Sequence, residues 1–403
     1  MTVPKLRFKE FDESWESSTF EKADIKIIDG DRGDNYPKSN DFYDQGFCLF
    51  LNAGNVTKSG FRFEKTQFID EKKDGLLRKG KLKQEDIIIT TRGTVGNIAY
   101  FDDSVIYENM RINSGMVIVR SNKNTIPAYL NQFLMSNIFE KWTERNVFGS
   151  AQPQLTVKLL NSIPISLPST KEQTKIASFL SSVDDRIAQL TQEHELLNEY
   201  KKGMMQQLFS QKLRFKADDG SDFEDWESDL INKVFTNKSQ SFNPQSEKKL
   251  PCIELEHLSQ GTGNILGTVG SDEQKSTKNL FEPSSVLYGK LRPYLKKFAQ
   301  PNFKGVCSSE IWVLTGIKVS NNYLYQYIQS EGFAELTNIQ SGSKMPRADW
   351  NIVASAVIEY PCLVEQTKIA NFLSAIDQKI DSVAAQIDQA QVWKKGLLQQ
   401  MFV

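Results

Sequence analysis

Residues 172–209, EQTKIASFLSSVDDRIAQLTQEHELLNEYKKGMMQQLF, return at 365–402 as EQTKIANFLSAIDQKIDSVAAQIDQAQVWKKGLLQQMF. The offset is a constant 193, and 17 of 38 positions are identical. Both copies carry a helical seam in alternating steps of four and three. In the first it runs Ile176, Leu180, Val183, Ile187, Leu190, His194, Leu197, Lys201, Met204 and Leu208. In the second it runs Ile369, Leu373, Ile376, Ile380, Val383, Ile387, Ala390, Lys394, Leu397 and Met401. A 4–3 repeat places one apolar stripe along a helix, and that stripe needs a partner helix to leave water. Two such stripes in one chain are natural partners. At ~1.5 Å per residue each helix is a rod of roughly 50 Å.

The repetition extends beyond the helices. KLRFKEFDESWES at 5–17 returns, four residues longer, within QKLRFKADDGSDFEDWES at 211–228. Upstream of each helix, AYLNQFLMSNIFEKWTERNVFGS at 128–150 parallels NYLYQYIQSEGFAELTNIQSGS at 322–343. Tyr129, Gln132, Ser136, Phe139 and Gly149 thereby match Tyr323, Gln326, Ser330, Phe333 and Gly342. The order is also circular, because KKGLLQQMFV at the C-terminal end leads into the same phrase that KKGMMQQLFS precedes in the middle. Duplication of this kind implies a pseudo-two-fold molecule. An antiparallel pairing of the two helices closes it without a long return connection.

Strand-like runs rich in β-branched and aromatic residues lie at 85–91, 114–120, 284–291 and 310–316. Pro127 and the Ser320, Asn321, Asn322 cluster suit helix starts. The expected fold class is therefore α+β: two pseudo-symmetric domains at 1–171 and 210–364, with repeated helices at 172–209 and 365–403 forming an antiparallel two-helix coiled coil between them.

The 403 residues are 39% hydrophobic and 25% charged, with net charge −1. That composition fits a globular protein and offers no broad basic field for non-specific nucleic-acid binding. No apolar run is long enough for a membrane helix, and residues 1–16 contain no apolar signal core. Cys48, Cys252, Cys307 and Cys362 are far apart and form no CxxC pair, which fits a reducing cytoplasm.

Catalytic groups are scarce. The two histidines, His194 in the seam and His257 in a polar loop, have no partner in view, which argues against a triad or a histidine metal site. Residues 75–82, GLLRKGKL, fall one residue short of a P-loop, since Leu82 stands where Ser or Thr would hold Mg²⁺; a basic surface loop is the better reading. Glu199, Tyr200 and Lys201 read as a solvated helix face. No glycine-rich cofactor turn and no Asn-Pro-Pro-aromatic stretch is present, so the chain reads as non-catalytic and without cofactor or metal of its own.

Polar, basic loops remain at matching places in the two halves. Thr91, Arg92, Gly93 and Thr94 follow one apolar strand; Lys290, Arg292, Tyr294, Lys296 and Lys297 follow another. Arginine at a strand end beside flexible backbone can approach a base edge, and its fork fits guanine O6 and N7. A second pair of loops holds Ser150, Gln152 and Gln154 in the first half and Ser343, Lys344 and Arg347 in the second, all able to donate to phosphates or bases. The bland alternatives are a solvated turn and a connector into the helix.

With the duplicated variable regions, the EQxKIAxFLSx[VI]D signature at 172–184 and 365–377, the LRF…W openings at 4–15 and 213–226, and the TTRGTVG and KLRPYLKK segments, the chain resembles the specificity subunit of type I restriction–modification systems. The resemblance spans the full length. It implies two target recognition domains, each reading one half of a split site on double-stranded DNA, with the helices setting the spacer between the halves. It also implies docking to two modification subunits, which use S-adenosylmethionine to methylate adenine at N6, and to two restriction subunits, which use ATP and Mg²⁺. A specificity subunit of a type IIB-like modification–cleavage enzyme and, from another class, a protein-binding scaffold are the rival readings.

Overall fold

The computed structural model describes residues 3–147, 154–245, 248–339 and 345–403. The chain divides into two compact units, one formed by Met1–Thr191 with Ala385–Val403 and the other by Gln192–Ala384. The repeats are single helices, Thr170–Phe209 of 40 residues and Leu363–Met401 of 39. Each starts two residues earlier than the periodicity predicts. The expected domain boundaries lay at the helix ends; the compact units instead cut both helices near their midpoints. The cause is packing: Ile176, Leu180 and Val183 share a core with Leu397, Leu398 and Met401, whereas Ile369, Leu373 and Ile376 share one with Met205 and Leu208. In the first helix Met205, not Met204, is buried, because a straight helix drifts by about one residue from a 3.5-residue repeat over four heptads.

In the first unit a four-stranded antiparallel sheet runs in the order Lys26–Asp29, Met116–Arg120, Ile87–Thr90, Ile98–Tyr100. Side chains alternate across it. Ile87, Ile89, Val117 and Val119 pack with Tyr129 and Phe133 of helix Pro127–Leu134 and with the long-helix residues. Ile88, Ala99, Met116 and Ile118 pack with Leu49 and Met110 of a smaller sheet. Burial of both faces explains the unbroken isoleucine run at 87–89. The smaller sheet holds Phe68–Ile69, Cys48–Phe50 and Met110–Arg111, the last two parallel.

The second unit repeats this plan. Its four-stranded sheet runs Phe235–Thr236, Ile311–Gly316, Val286–Gly289, Phe298–Ala299. Tyr288, Trp312 and Leu314 meet Tyr323, Phe333 and Leu373 on one face; Leu287, Val313 and Ala299 meet Ile253 and Phe281 on the other. The second sheet has five strands and again contains a parallel pair, Pro251–Ile253 with Gly305–Cys307. The expected helix starts are present: Pro127 is the first residue of its helix, and the Ser320 hydroxyl accepts from Tyr323 N.

Each LRF…W phrase leads into a strand beside the start of a long helix. Glu16–Thr19 pairs with Pro164–Leu167 and Glu227–Leu230 with Val357–Tyr360. This brings Arg7 onto Glu172, with Nε–Oε1 and Nη2–Oε2 both 2.8 Å. Arg214 meets Glu365 in the same way at 3.2 and 2.8 Å. Both glutamates are buried. The next residue caps a backbone turn in each unit: Gln173 accepts from Ile126 N at 2.8 Å, and Gln366 from Ser320 N at 2.8 Å. Further along, Asp184 receives Gln132 (2.9 Å) and Lys394 (2.5 Å), while Asp377 receives Gln326 (3.1 Å) and Lys201 (2.5 Å). Lys201 and Lys394, polar intrusions in the apolar seam, are thus satisfied ion-pair partners. Lys201 departs from the solvated-face reading, whereas Glu199 and Tyr200 beside it are exposed.

The near-P-loop also takes a different form. Gly75 lies inside helix Glu71–Leu76, and Phe68–Ile69 just before it is a short buried strand. The charges around it are tied down: the Asp74 carboxylate bonds Arg111, and Lys81 at 2.6 Å. No group of three or more His, Cys, Asp or Glu residues suited to a metal exists among the described residues. No described helix is long and apolar enough to cross a membrane.

Candidate nucleic-acid interface

In the first unit the segment 91–97 joins the antiparallel strands Ile87–Thr90 and Ile98–Tyr100. Two glycines with positive φ shape it, Gly93 at 73° and Gly96 at 90°, a region that costs a side-chain-bearing residue about 1–2 kcal/mol. Thr91 turns inward. It is 2% exposed, its N–H donates to Gly115 O at 2.7 Å, and its hydroxyl donates to the same oxygen at 2.9 Å. Its role is to fasten the loop. Arg92, Gly93 and Thr94 are exposed. The second predicted loop lies alongside, since Leu155 N donates to Thr91 O at 3.1 Å. With its amide oxygen facing the guanidinium, Gln154 accepts from Arg92 Nε at 3.2 Å and Nη2 at 3.0 Å, the orientation required because arginine only donates.

The second unit arranges the corresponding loops in the same way. Residues 290–297 join Val286–Gly289 to Phe298–Ala299. Here the positive φ values fall on Arg292 (53°) and Lys296 (46°), non-glycine residues in a strained region of the kind that clusters at functional sites. Ala348 N donates to Lys290 O at 2.8 Å, and Arg292 N to Pro346 O at 2.7 Å. Arg292, Tyr294 and Lys296 are exposed, and Lys290 is half-buried. Lys297 is occupied, its ammonium donating to Leu255 O at 2.6 Å. Arg347 reaches Glu310, Nε to Oε2 at 3.1 Å and Nη2 to Oε1 at 3.4 Å, while half exposed. Near Lys296, the Glu331 carboxylate is held below the usual carboxylate range by the Gln206 amide and Lys202, with Lys296 adding to the positive field.

The structure therefore brings the two loops together in each unit, on backbone hydrogen bonds that no periodicity reveals. The second loop leads into a short helix, Val157–Asn161 or Trp350–Ser355, and then a strand, and so is not a direct connector into the long helix. Ser150, Gln152, Ser343 and Lys344 lie outside the described residues. Two neighbours of the site carried no sequence signal. Glu310 precedes a strand, and the exposed Arg32 donates to Ser114 O at 3.3 Å, beside the oxygen that fastens Thr91.

An exposed cationic loop cluster at one end of a two-sided sheet, present once in each of two duplicated units, is the architecture of a modular recognition protein. The model of the type I restriction modification DNA specificity domain matches residues 13–199 and 224–391. The chain belongs to that family. Among curated relatives, it is 26% identical over 313 residues to the type I restriction enzyme MjaVIII specificity subunit of Methanocaldococcus jannaschii, covering 71% of this chain and 72% of that one. It is 24% identical over 301 residues to the EcoDI specificity subunit of Escherichia coli, covering 65% of each. Among solved structures, the type I S subunit from M. genitalium aligns over 100% of this chain and 99% of its own with TM-score 0.60 at 15% identity. A chain from a study of complex assembly and conformational transition of the type I system aligns over 97% and 98% with TM-score 0.55, also at 15% identity. These two likenesses establish a shared fold.

Proposed function

We propose that this chain is the DNA-specificity subunit of a type I restriction–modification complex. Each unit reads one half of a split duplex target through its paired loops, 91–97 with 154 in one and 290–297 with 345–347 in the other. The observation that carries the reading is the recurrence of one loop framework, with the same fastening hydrogen bonds, under different exposed side chains. A protein that reads two different short sequences needs that combination. Arg92, Gly93, Thr94, Lys290, Arg292, Tyr294, Lys296 and Arg347 face the duplex in this reading, with Thr91 and Lys297 shaping the loops. Gln154 supports Arg92 in this reading, and Ser150, Gln152, Ser343 and Lys344, which lie outside the described residues, keep the DNA-contact role expected of them.

The chain performs no catalysis of its own in this account. Two modification subunits with S-adenosylmethionine methylate adenine, and two restriction subunits with ATP and Mg²⁺ cleave, all in the cytoplasm. The repeated helices pair antiparallel as a coiled coil and set the unread spacer. Supporting this pairing, each repeat's lysine meets the other repeat's aspartate, Lys201 with Asp377 and Lys394 with Asp184.

Sequencing of methylated adenines in cells that carry this chain with its modification subunit tests the proposal. The expected result is one motif of two defined halves around an undefined spacer. Absence of sequence-selective DNA binding or methylation by the assembled complex would sink it and favour a protein-binding scaffold.

A further inference from the structure

The backbone hydrogen bonds align the two loop clusters residue by residue. Thr91 N donates to Gly115 O as Lys290 N donates to Glu310 O, and Leu155 N donates to Thr91 O as Ala348 N donates to Lys290 O. Thr90 N donates to Asn97 O as Gly289 N donates to Lys297 O. The positive-φ positions agree with this register, Gly93 with Arg292 and Gly96 with Lys296. Lys290 thus stands in the place of Thr91, Leu291 in that of Arg92, and Arg347 in that of Gln154. Glu310 occupies the place of Gly115. Arg292, which matches Arg92 by residue type, matches Gly93 by backbone.

We infer that the two units exchange the loop that carries the base-reading arginine: Arg92 on the strand-end loop of the first unit, Arg347 on the opposite loop of the second. The inference rests on the DNA-reading function proposed above. In both cases a neighbouring side chain accepts from Nε and Nη2, the single amide oxygen of Gln154 for Arg92 and the two carboxylate oxygens of Glu310 for Arg347. An arginine held along that edge presents the end of its fork, the geometry that meets guanine O6 and N7 together. Arg92 and Arg347 are also exposed, as a reading residue must be. Arg292 is left with the backbone of its loop and serves at most as a phosphate contact. The exchange supplies a physical route to different specificities on one frame. Moving the fork from one loop to the other changes where along the groove it lands, without altering the hydrogen-bond ladder that positions both loops.

The test uses the full-length chain assembled with its modification subunit and a DNA library randomised across both half-sites. R347A is expected to reduce preference at one base position of one half-site by roughly 5- to 150-fold while the other half-site profile stays as in the parent. That unchanged profile in the same molecule reports correct folding. R347K, which keeps the charge but not the fork, is expected to lose the same position. R292A is expected to weaken all sequences alike, by less than about fivefold. Retention of the base preference in R347K or R347A, or its loss in R292A, overturns the inference. A parent complex that selects no sequence at all would instead overturn the proposed function.

Discussion

In one unit Arg7 clamps Glu172 and in the other Arg214 clamps Glu365, yet the second sheets, on the face of each four-stranded sheet away from the long helix, have three strands in the first unit and five in the second. The helix-anchoring layer repeats closely because its parts depend on one another. A buried carboxylate needs its guanidinium, the following glutamine must satisfy a turn, and an aspartate must receive a lysine. Altering one partner strands another in a low-dielectric interior. The second sheets and loops face no such closed set of partners. Even the repeated layer differs in one respect. Tyr129 donates to Ser166 O while Trp15 Nε1 has no partner among the described residues; Trp226 Nε1 donates to Glu365 while Tyr323 OH has none. Among the described residues, each unit thus leaves one buried aromatic polar atom unsatisfied, and not the same one.

The clamps give the strongest test of this comparison. Glu172→Ala should cost about 3–5 kcal/mol by leaving the Arg7 guanidinium without its carboxylate in a largely buried site. Glu365→Ala should cost at least as much, since Trp226 also loses its acceptor. Chemical denaturation of each variant measures this, and a loss below about 1 kcal/mol in either would show that the two clamps are not equivalent. Next come the seam lysines. Lys201→Ala and Lys394→Ala should each cost roughly 1–3 kcal/mol by stranding a partly buried aspartate. Replacing both members of either pair with apolar residues should recover most of that loss. A double variant no better than the single would mean that the ion pair itself stabilises the seam.

Much of this frame was legible in the sequence. The 4–3 spacing located both helices to within two residues at their starts, and β-branched runs located the central strands. The clamp was not legible, because Arg7 and Glu172 are 165 residues apart and only the fold joins them. The candidate site was legible in part. Residue type picked out the strand-end arginines, but Arg92 and Arg292 look equivalent only by type; the backbone ladder that shifts them by one position is invisible to periodicity. Glu310 carries no motif.

A smaller effect separates the two loops. Arg292→Gly, which installs the residue that stands at the matching position 93, should stabilise the chain by about 1 kcal/mol through relief of the left-handed conformation. Gly93→Ala should destabilise it by a similar amount. Thermal melts of the pair should move in opposite directions, and a shared direction would break the proposed register. The smallest signal concerns thiols. Cys48 and Cys252 both lie on the first strand of a parallel pair, and burial, with nearby Asp74 and Glu254 respectively, pushes each up to about 12. Their thiolate forms are therefore disfavoured at every pH below that value. With native protein at pH 8, iodoacetamide should label exposed Cys362 and spare Cys48, Cys252 and Cys307, whereas all four should react in denaturant.

The sharing of each long helix between units also sets an order of assembly on the ribosome. The unit of Gln192–Ala384 is one uninterrupted stretch, but the other needs Ala385–Val403 to complete it. Leu6 N bonds Gln400 O, and Leu397, Leu398, Met401 and Phe402 fill the core around Tyr129, Ile176 and Leu180. At synthesis rates of ~5–20 residues per second, the half made first waits roughly 10–40 s for its missing piece. During that interval its core lacks these C-terminal side chains. The later-made unit is thus the first able to finish folding, and the first-made one is the natural client of a chaperone until Ala385–Val403 have been made.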